Sequence, residues 1–295
     1  GITPLRQGSE GRGKIIRFKN EKDFYKYLGL EWIPPELRED SGEIEAAQKN
    51  NIPLLIEIGD VKGDLQIHSD FDVETSHDLG ESSMQEIIEY SNKFNYEYIA
   101  FTEHNPSRSK HKESEIIDIL KRKKAKIDEL NYSIMKSEKK GVKKVYNCLE
   151  IDILPDGTLP IPEKSLDLID FALISIHSSF RQSKNEATRR IIRAMDYPKV
   201  KIFAHPTGRL LNKREGVELD WPKIFEIISK KNIFLEINSD PARLDLPDFL
   251  IKEALKYEIK FSLGTDAHSI DGMDNMIYGV YNARRGWVTK GDIII

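Results

Sequence analysis

From Gly63 onward the chain alternates short apolar runs with longer amphipathic stretches, and run after run ends in a histidine or a carboxylate. The runs are GDLQIH, YIAFTEH, VYNCLEID, FALISIH, KIFAHP and FSLGTDAH, with IFLEINS as a seventh strand candidate. Between them, residues 83–94, 113–139, 186–195, 221–230 and 247–257 read as helices. Strands alternating with helices pair in parallel through right-handed crossovers. A doubly wound sheet gathers its ligand at one switch point. Ligand-type residues at nearly every strand end fit a closed barrel, whose strand carboxyl ends face one site. The pattern predicts an α/β chain: an irregular seven-stranded TIM-like barrel, (β/α)7, behind a short N-terminal accessory segment. The irregularity is expected between Glu150 and Phe171, a Pro-, Gly- and Asp-containing connection with no crossover helix.

Six of the seven histidines stand at or just beyond the run ends: His68, His77, His104, His177, His205 and His268. Asp78, Glu150 and Asp266 stand with them. Imidazole and carboxylate together suit zinc, manganese or iron, whereas oxygen-only sets suit magnesium or calcium. The inventory exceeds the needs of one tetrahedral ion and suits two or three ions sharing a carboxylate. Such clusters cleave phosphate esters by holding both the attacking and the leaving oxygen. No P-loop, GxGxxG fingerprint or Ser-His-Asp set competes.

Each residue also has a plainer role open to it. A single strand-end histidine can be a hydrogen-bonded structural residue, and His205 before Pro206 can simply belong to a turn. Asp266 and His268, two apart at a strand end, point to the same side. Glu150 closes an apolar run, where an unpaired carboxylate would be costly. His111, at a helix start away from any strand end, reads as a surface residue.

At 295 residues the chain can bury a substantial core without cross-links. Its net charge of −4 gives no global attraction to nucleic acid, so such binding must rest on a local patch. The single cysteine, Cys148, excludes an internal disulfide, reads as a core residue and fits a reducing, cytoplasmic compartment. No apolar stretch approaches the roughly 18 residues of a membrane span. The chain opens on Gly1, which suggests an excised part of something longer.

Residues 1–14 read as a flexible lead-in. A helix is expected over residues 20–27, capped by Asn20 or Asp23, with Phe24, Tyr27 and Leu28 as its apolar stripe. Pro34-Pro35 stops it, and residues 43–50 suit a second short helix. The lysines of the long helix and its flanks (Lys121, Lys123, Lys124, Lys136, Lys139, Lys140, Lys143 and Lys144) are interleaved with Glu115, Asp118, Asp128, Glu129 and Glu138. That mixture reads as a solvated face and not a nucleic-acid patch.

The strand-end residues lie in the motifs GDLQIHS, FTEHNPS, CLEIDILPDG, ISIHSSF, FAHPTGR and GTDAH, in that order over residues 63–268. There the chain resembles the polymerase and histidinol phosphatase (PHP) family. It resembles in particular the C-terminal PHP domain of bacterial family X DNA polymerases. YLGLEWIPPELREDSGEIEAAQKNNIPLLIEIGDVKGDLQIHSD looks like the end of the polymerase thumb and its link to the PHP domain, and HPTGRLLNKR and RLDLPD are similar to that family's segments. No palm or helix-hairpin-helix segment accompanies them. Residues 1–60 are therefore expected to be a linker or thumb remnant, and residues 61–295 the PHP phosphoesterase domain.

The resemblance implies the irregular PHP barrel with a trinuclear centre. It implies that His68, Glu150 and Asp266 hold one ion. His104 and His268, with His77 or Asp78, would hold a second. Glu150 would bridge to a third, held by His177 and His205. Glu150, His177, Asp266 and His268 are then the catalytic residues. Three departures stand out. Gln66 replaces the first histidine of the usual D-L-H-x-H, and Glu103 replaces the common aspartate before His104. The family's S-D-G is replaced by DFDVETSHDLGESS, where Asp70, Asp72, His77 and Asp78 are all candidates for one ligand; His77 and Asp78 lie nearest the helix start at Ser82-Ser83.

The expected activity is a metal-dependent 3′→5′ exonuclease on DNA, serving repair and proofreading, with 3′-end processing and abasic-site cleavage as further activities. Its cofactors would be two to three ions of manganese, zinc or iron. Arg181, Arg209 and Arg243, just past strand ends, would grip phosphate, and Asn238 would orient substrate. The expected partners are DNA with 3′ ends, gaps or abasic sites and the polymerase domain of the parent chain, with no membrane. The alternatives are a small-molecule phosphatase of the histidinol phosphate type, or a scaffold that positions a polymerase on DNA with a degenerate centre, for which Gln66 speaks.

Overall fold

The computed structural model describes residues 16–137 and 140–294. The lead-in expected over residues 1–14, and Glu138 and Lys139, lie outside the described residues. The described residues fall into two compact units, divided between Leu54 and Leu55.

In the first unit, helix α1 (Glu21–Tyr27) opens on Asn20, whose side chain accepts from the Asp23 amide at 2.9 Å. The cap is therefore Asn20. The expected stripe is not buried: no residue of α1 is, and Tyr27 and Leu28 are exposed. About two turns present too little surface to cover a core, and the rings instead cluster locally, Phe18 lying 5.4 Å from Phe24 and 5.3 Å from Tyr27. Helix α2 (Glu43–Gln48) follows.

The second unit is the barrel. Its seven strands are β1 (Gly63–Ile67), β2 (Tyr98–Phe101), β3 (Lys144–Asp152), β4 (Phe171–Ser175), β5 (Val200–Phe203), β6 (Phe234–Asn238) and β7 (Phe261–Gly264). They pair in parallel in sequence order. β7 returns to β1 through the Ile67–Ala267 bridge, the His68 amide donating to Ala267 at 2.9 Å and the Asp266 amide to Gln66 at 2.9 Å. The result is a nearly closed α/β TIM-like barrel.

Helices α3 (Met84–Ser91), α4 (Glu113–Lys136), α5 (Lys184–Ala194), α6 (Trp221–Lys231) and α7 (Asp248–Leu255) make the crossovers. α3 and α5 each start at a capping box, Ser83 with Glu86 and Ser183 with Glu186, which satisfies the first free amides of the helix. The β3–β4 connection carries only a 3-10 helix (Glu163–Leu168), the irregularity expected there. An eighth helix, α8 (Met276–Arg285), goes beyond the helices expected from sequence, although its buried Met276, Val280 and Ala283 recur at helical spacing.

Most of the apolar core lies between strands and helices. A smaller cluster, Leu65, Ala100, Cys148, Leu173, Ile202 and Ala204, fills the barrel. Strand period two then orders the interior of β3, placing Cys148, Glu150 and Asp152 on one face in succession towards the carboxyl end. The apolar cluster is the floor of the site, and Glu150 the first polar residue above it.

Lys123, expected on the solvated face of α4, is instead fully buried. It falls in phase with the helix's buried Ile116, Leu120, Ile127 and Leu130, so helical geometry carries it inward whatever its charge. Its ammonium lies 2.7 Å from the Glu103 carboxylate and donates to the carbonyls of Phe101, at 2.9 Å, and Cys148. Lys121 is exposed and Lys124 and Lys126 are half-buried, paired with Asp118, Asp128 and Glu129 at the surface, as the solvated-face reading expects.

Gly264 ends β7 in a confined place: an added Cβ would lie 2.3 Å from Glu236 Oε1 and 2.8 Å from Gln66 Cβ. Both neighbours are buried and held, so neither can yield cheaply. Gly264→Ala should cost about 1–3 kcal/mol, read as a thermal midpoint lowered by about 2–4 °C per kcal/mol. An unchanged midpoint would show that the barrel relaxes there.

Candidate metal centre

The strand ends aim their side chains at one point. His68 follows β1, His104 follows β2, Glu150 lies in β3, His177 follows β4, His205 follows β5, and Asp266 and His268 follow β7. Two of these positions have left-handed backbone, His205 with φ 26° and Asp266 with φ 56°. Such conformations cost of order 1–3 kcal/mol and persist only where the surroundings enforce them. Here they turn both side chains into the barrel mouth.

Among the described residues, eight side chains make four overlapping sets, the ligand atoms of each lying within 4.8 Å of one another: His68–Glu150–Asp266, Glu150–His177–His205, His77–His104–His177 and His68–His104–His268. Glu150 is the shared centre. Its Oε1 lies 2.8 Å from His205 Nε2 and 3.2 Å from His177 Nε2. Its Oε2 lies 3.3 Å from His68 Nε2 and 3.6 Å from His104 Nδ1, and accepts from Gln66 Nε2 at 3.0 Å. Each oxygen thus faces a different set. His68 Nε2 is also 3.3 Å from Asp266 Oδ1.

The imidazoles crowd one another, with ring centroids 4.6 Å apart for His68–His104, 4.3 Å for His68–His268 and 4.5 Å for His77–His104. Burial disfavours the charged form of His68, but Asp266 and Glu150 outweigh it and raise the ring to about 10. For His177, Glu150 and Asp152 overcome burial and raise the ring to about 9. Burial lowers His104 to about 3, with the rings of His68, His177 and His77 adding to the effect. Glu150, which burial alone would raise, is held well below the usual carboxylate range by His104, His177 and His205. Protons are therefore shared unevenly by groups too close for all to be charged.

The donor set fits divalent cations. His68 Nδ1, His104 Nδ1, His205 Nδ1 and Gln66 Oε1 are buried and make no hydrogen bond, a costly state for polar atoms. Imidazole nitrogens with two interspersed carboxylates are what zinc, manganese and iron prefer. Metal loading would take the place of the imidazole protons.

Asp78, of the nine residues expected as ligands, lies exposed and outside all four sets. The same loop turns His77 inward. Asp72 caps it locally by accepting from the Glu74 amide at 2.6 Å. Glu74 then pairs with Arg122 at 2.7 Å and lies 3.4 Å from His111 Nε2. His111 is accordingly not a free surface residue; its side chain is 13% exposed, because the long loop folds back over the start of α4.

Asn238 is buried and donates to Asp266 Oδ2 at 3.2 Å and to Glu236 Oε2 at 3.2 Å. Arg243 Nε lies 3.3 Å from Asp266 Oδ2, and two of the guanidinium nitrogens are buried without a hydrogen bond. Arg209 donates to the Arg243 carbonyl at 2.9 Å and to the Leu244 carbonyl, bracing the loop that carries Arg243. Arg181 is exposed.

Two groups were missed in the sequence. Asp152 spans His77 Nε2 at 2.8 Å and His177 Nδ1 at 2.7 Å. Burial would raise its carboxyl, but His177 and His77 hold it below the carboxylate range. Its signal was present, because Asp152 follows Glu150 by two in one strand. Glu236, fully buried in β6, accepts from the His205 amide at 2.7 Å, and burial beside the charge of Asp266 pushes its carboxyl well up. Nothing in FLEIN marks it beyond a polar residue in an apolar run. A carboxylate that orients metal-binding imidazoles carries about 10–100-fold of metal affinity. Asp152→Ala should therefore weaken manganese retention by about that factor in equilibrium dialysis, and unchanged retention would leave Asp152 without a positioning role.

Residues 2–39 match the family model described as DNA polymerase beta thumb. Over 282 residues the chain is 37% identical to the DNA polymerase/3'-5' exonuclease PolX of Bacillus subtilis (strain 168), and the two are homologous over 96% of this chain. The chain spans about half the length of that relative, 47%.

Proposed function

We propose that the chain is a divalent-metal-dependent 3′→5′ exonuclease acting on DNA, with residues 61–295 as a PHP-type phosphoesterase domain and residues 1–60 as the remnant of a thumb and its linker. The observation that carries this reading is Glu150, a buried carboxylate presenting one oxygen to each of two ligand sets at the barrel mouth. Homology to a protein named polymerase and 3'-5' exonuclease supports DNA as the substrate.

Bound ions would bring the pKa of water towards neutrality and offset charge on the phosphoryl oxygens. His68, Glu150 and Asp266 would hold one, Glu150, His177 and His205 another, and His104 with His77, His177 or His268 a third. The chain's own residues do the rest. Arg243 pairs through Nε with Asp266 and offers its buried Nη1, which makes no hydrogen bond, to a phosphate oxygen. Asn238 fixes Asp266, and Asp152 fixes His77 and His177. The apolar floor below Glu150 keeps water from reaching the centre from beneath. Among the described residues no helix is long and apolar enough to cross a membrane, and the lone buried thiol suits a cytoplasmic setting. The polymerase portion of a parent chain would deliver the 3′ end.

A labelled 3′-recessed duplex incubated with the chain and manganese tests this reading. Stepwise shortening is expected. Phosphate release from histidinol phosphate with intact DNA would replace it with a small-molecule phosphatase. Turnover of neither substrate, with metals bound, would leave a scaffold that positions DNA.

A further inference from the structure

We propose that Gln66 makes the His68–Glu150–Asp266 set the hard-ion end of the centre, the position where Mn2+ or Mg2+ best resists displacement by Zn2+. The proposal rests on the metal-centre reading and goes beyond it by assigning unlike preferences to its sets.

Gln66 is a neutral amide, fully buried, in the middle of an ionisable cluster. Its backbone carbonyl accepts from the Asp266 amide at 2.9 Å, so the closure of β7 on β1 fixes its place. Gly264 leaves room for it: a Cβ there would approach Gln66 Cβ to 2.8 Å. Its Nε2 donates to Glu150 Oε2 at 3.0 Å. The opposite amide orientation would set a carbonyl oxygen against a carboxylate oxygen, so the hydrogen bond decides which end faces Glu150. That leaves Gln66 Oε1 buried, without a hydrogen-bond partner, on the same planar amide. A cation is the partner such an oxygen lacks.

The four sets then differ in hardness. His68–Glu150–Asp266 offers two oxygens and one nitrogen, and Gln66 Oε1, on the amide that donates to Glu150 Oε2, is a further buried oxygen beside Glu150. Glu150–His177–His205 offers two nitrogens and one oxygen, and the remaining two sets are all nitrogen. Oxygen donors suit magnesium and manganese, whereas imidazole suits zinc and iron. The Gln66 N–H also occupies a lone pair of Glu150 Oε2, and a carboxylate oxygen that accepts a hydrogen bond is a poorer base. Glu150 Oε1, which faces His177 and His205, receives no such amide donor. Both effects act in the same direction. They weaken the preference for zinc at the Gln66 end and leave it intact at the histidine-rich end.

The test is competition. The purified chain, stripped with chelator and reloaded with Mn2+, is titrated with Zn2+. Released Mn2+ is followed by electron paramagnetic resonance and retained metal is counted by plasma mass spectrometry. The wild type should lose Mn2+ in distinct classes, one persisting to higher Zn2+ than the others. Gln66→His, which supplies a ring nitrogen in place of the amide oxygen, should shift displacement of that class to about tenfold lower Zn2+ or beyond. Gln66→Met, of similar length and without polar atoms, should lose the same class for both metals and keep the others. Displacement curves that superimpose for wild type, Gln66→His and Gln66→Met would overturn the proposal while leaving the metal centre standing. Failure of the wild type to bind Mn2+ or Zn2+ stoichiometrically would overturn the metal-centre reading, and this proposal with it.

Discussion

Replacing Glu150 by alanine should lower 3′→5′ digestion of a labelled recessed duplex by on the order of 10³-fold or more, the scale set by losing an activated nucleophile. The chain should remain folded. Glu150 is the carboxylate whose two oxygens face different ligand sets, so its removal disables both. The fold survives because the packing of strands against helices lies away from Glu150, which sits at the barrel mouth above the apolar floor. Asp266 and Asp152 remain beside His68 and His177, so neither ring loses all its carboxylate partners. Metal stoichiometry should fall with turnover while the melting temperature changes little. His268→Ala should also abolish turnover, whereas His111→Ala, outside every ligand set, should cost only a few-fold. Equal activity in the three variants would sink the assignment of the site.

The second large effect concerns stability. Lys123→Met should destabilise the barrel by about 3–5 kcal/mol, because it leaves Glu103 as an uncompensated buried charge. For a unit of this size that is a melting point lower by roughly 10 °C. Glu103 also accepts from the Ser69 amide at 3.2 Å and hydroxyl at 2.5 Å, which fixes the strand end next to His68. The pair therefore braces the β1 and β2 ends from behind the centre. Adding Glu103→Leu to Lys123→Met should recover a substantial part of the loss, since two apolar groups replace a charge pair. A Lys123→Met variant as stable as wild type would mean that water reaches the pair.

Lys123 also shows where reading by composition fails. Counted among neighbouring lysines and acids it belongs to a solvated face, yet its phase on α4 puts it in line with Ile116, Leu120 and Ile127. Phase was legible and charge was misleading. Helix α8 is a similar case, its stripe present in the sequence but lying after the last strand-end motif. Asp152 was legible from period two alone, because whatever places Glu150 inward places Asp152 inward as well.

The choice among Asp70, Asp72, His77 and Asp78 was of another kind. All four occupy one irregular loop, where no periodicity assigns a direction. His77 faces the centre because Asp72 closes a local turn and Glu74 anchors the loop to Arg122, in the first half of α4. The Glu74–Arg122 contact joins residues far apart in the chain. No local rule contains it.

The sequence by itself determined the strands, their parallel alternation with helices and the list of side chains delivered to the strand ends. These follow from backbone periods of two and 3.6, which are local. Which of those side chains share a set was decided by the tertiary structure alone. His68 and Asp266 meet because β7 closes on β1, and Gln66 faces Glu150 because that closure holds it there. Neighbourhood across a barrel depends on register and closure. Both come from packing the whole core, and no segment holds that information alone.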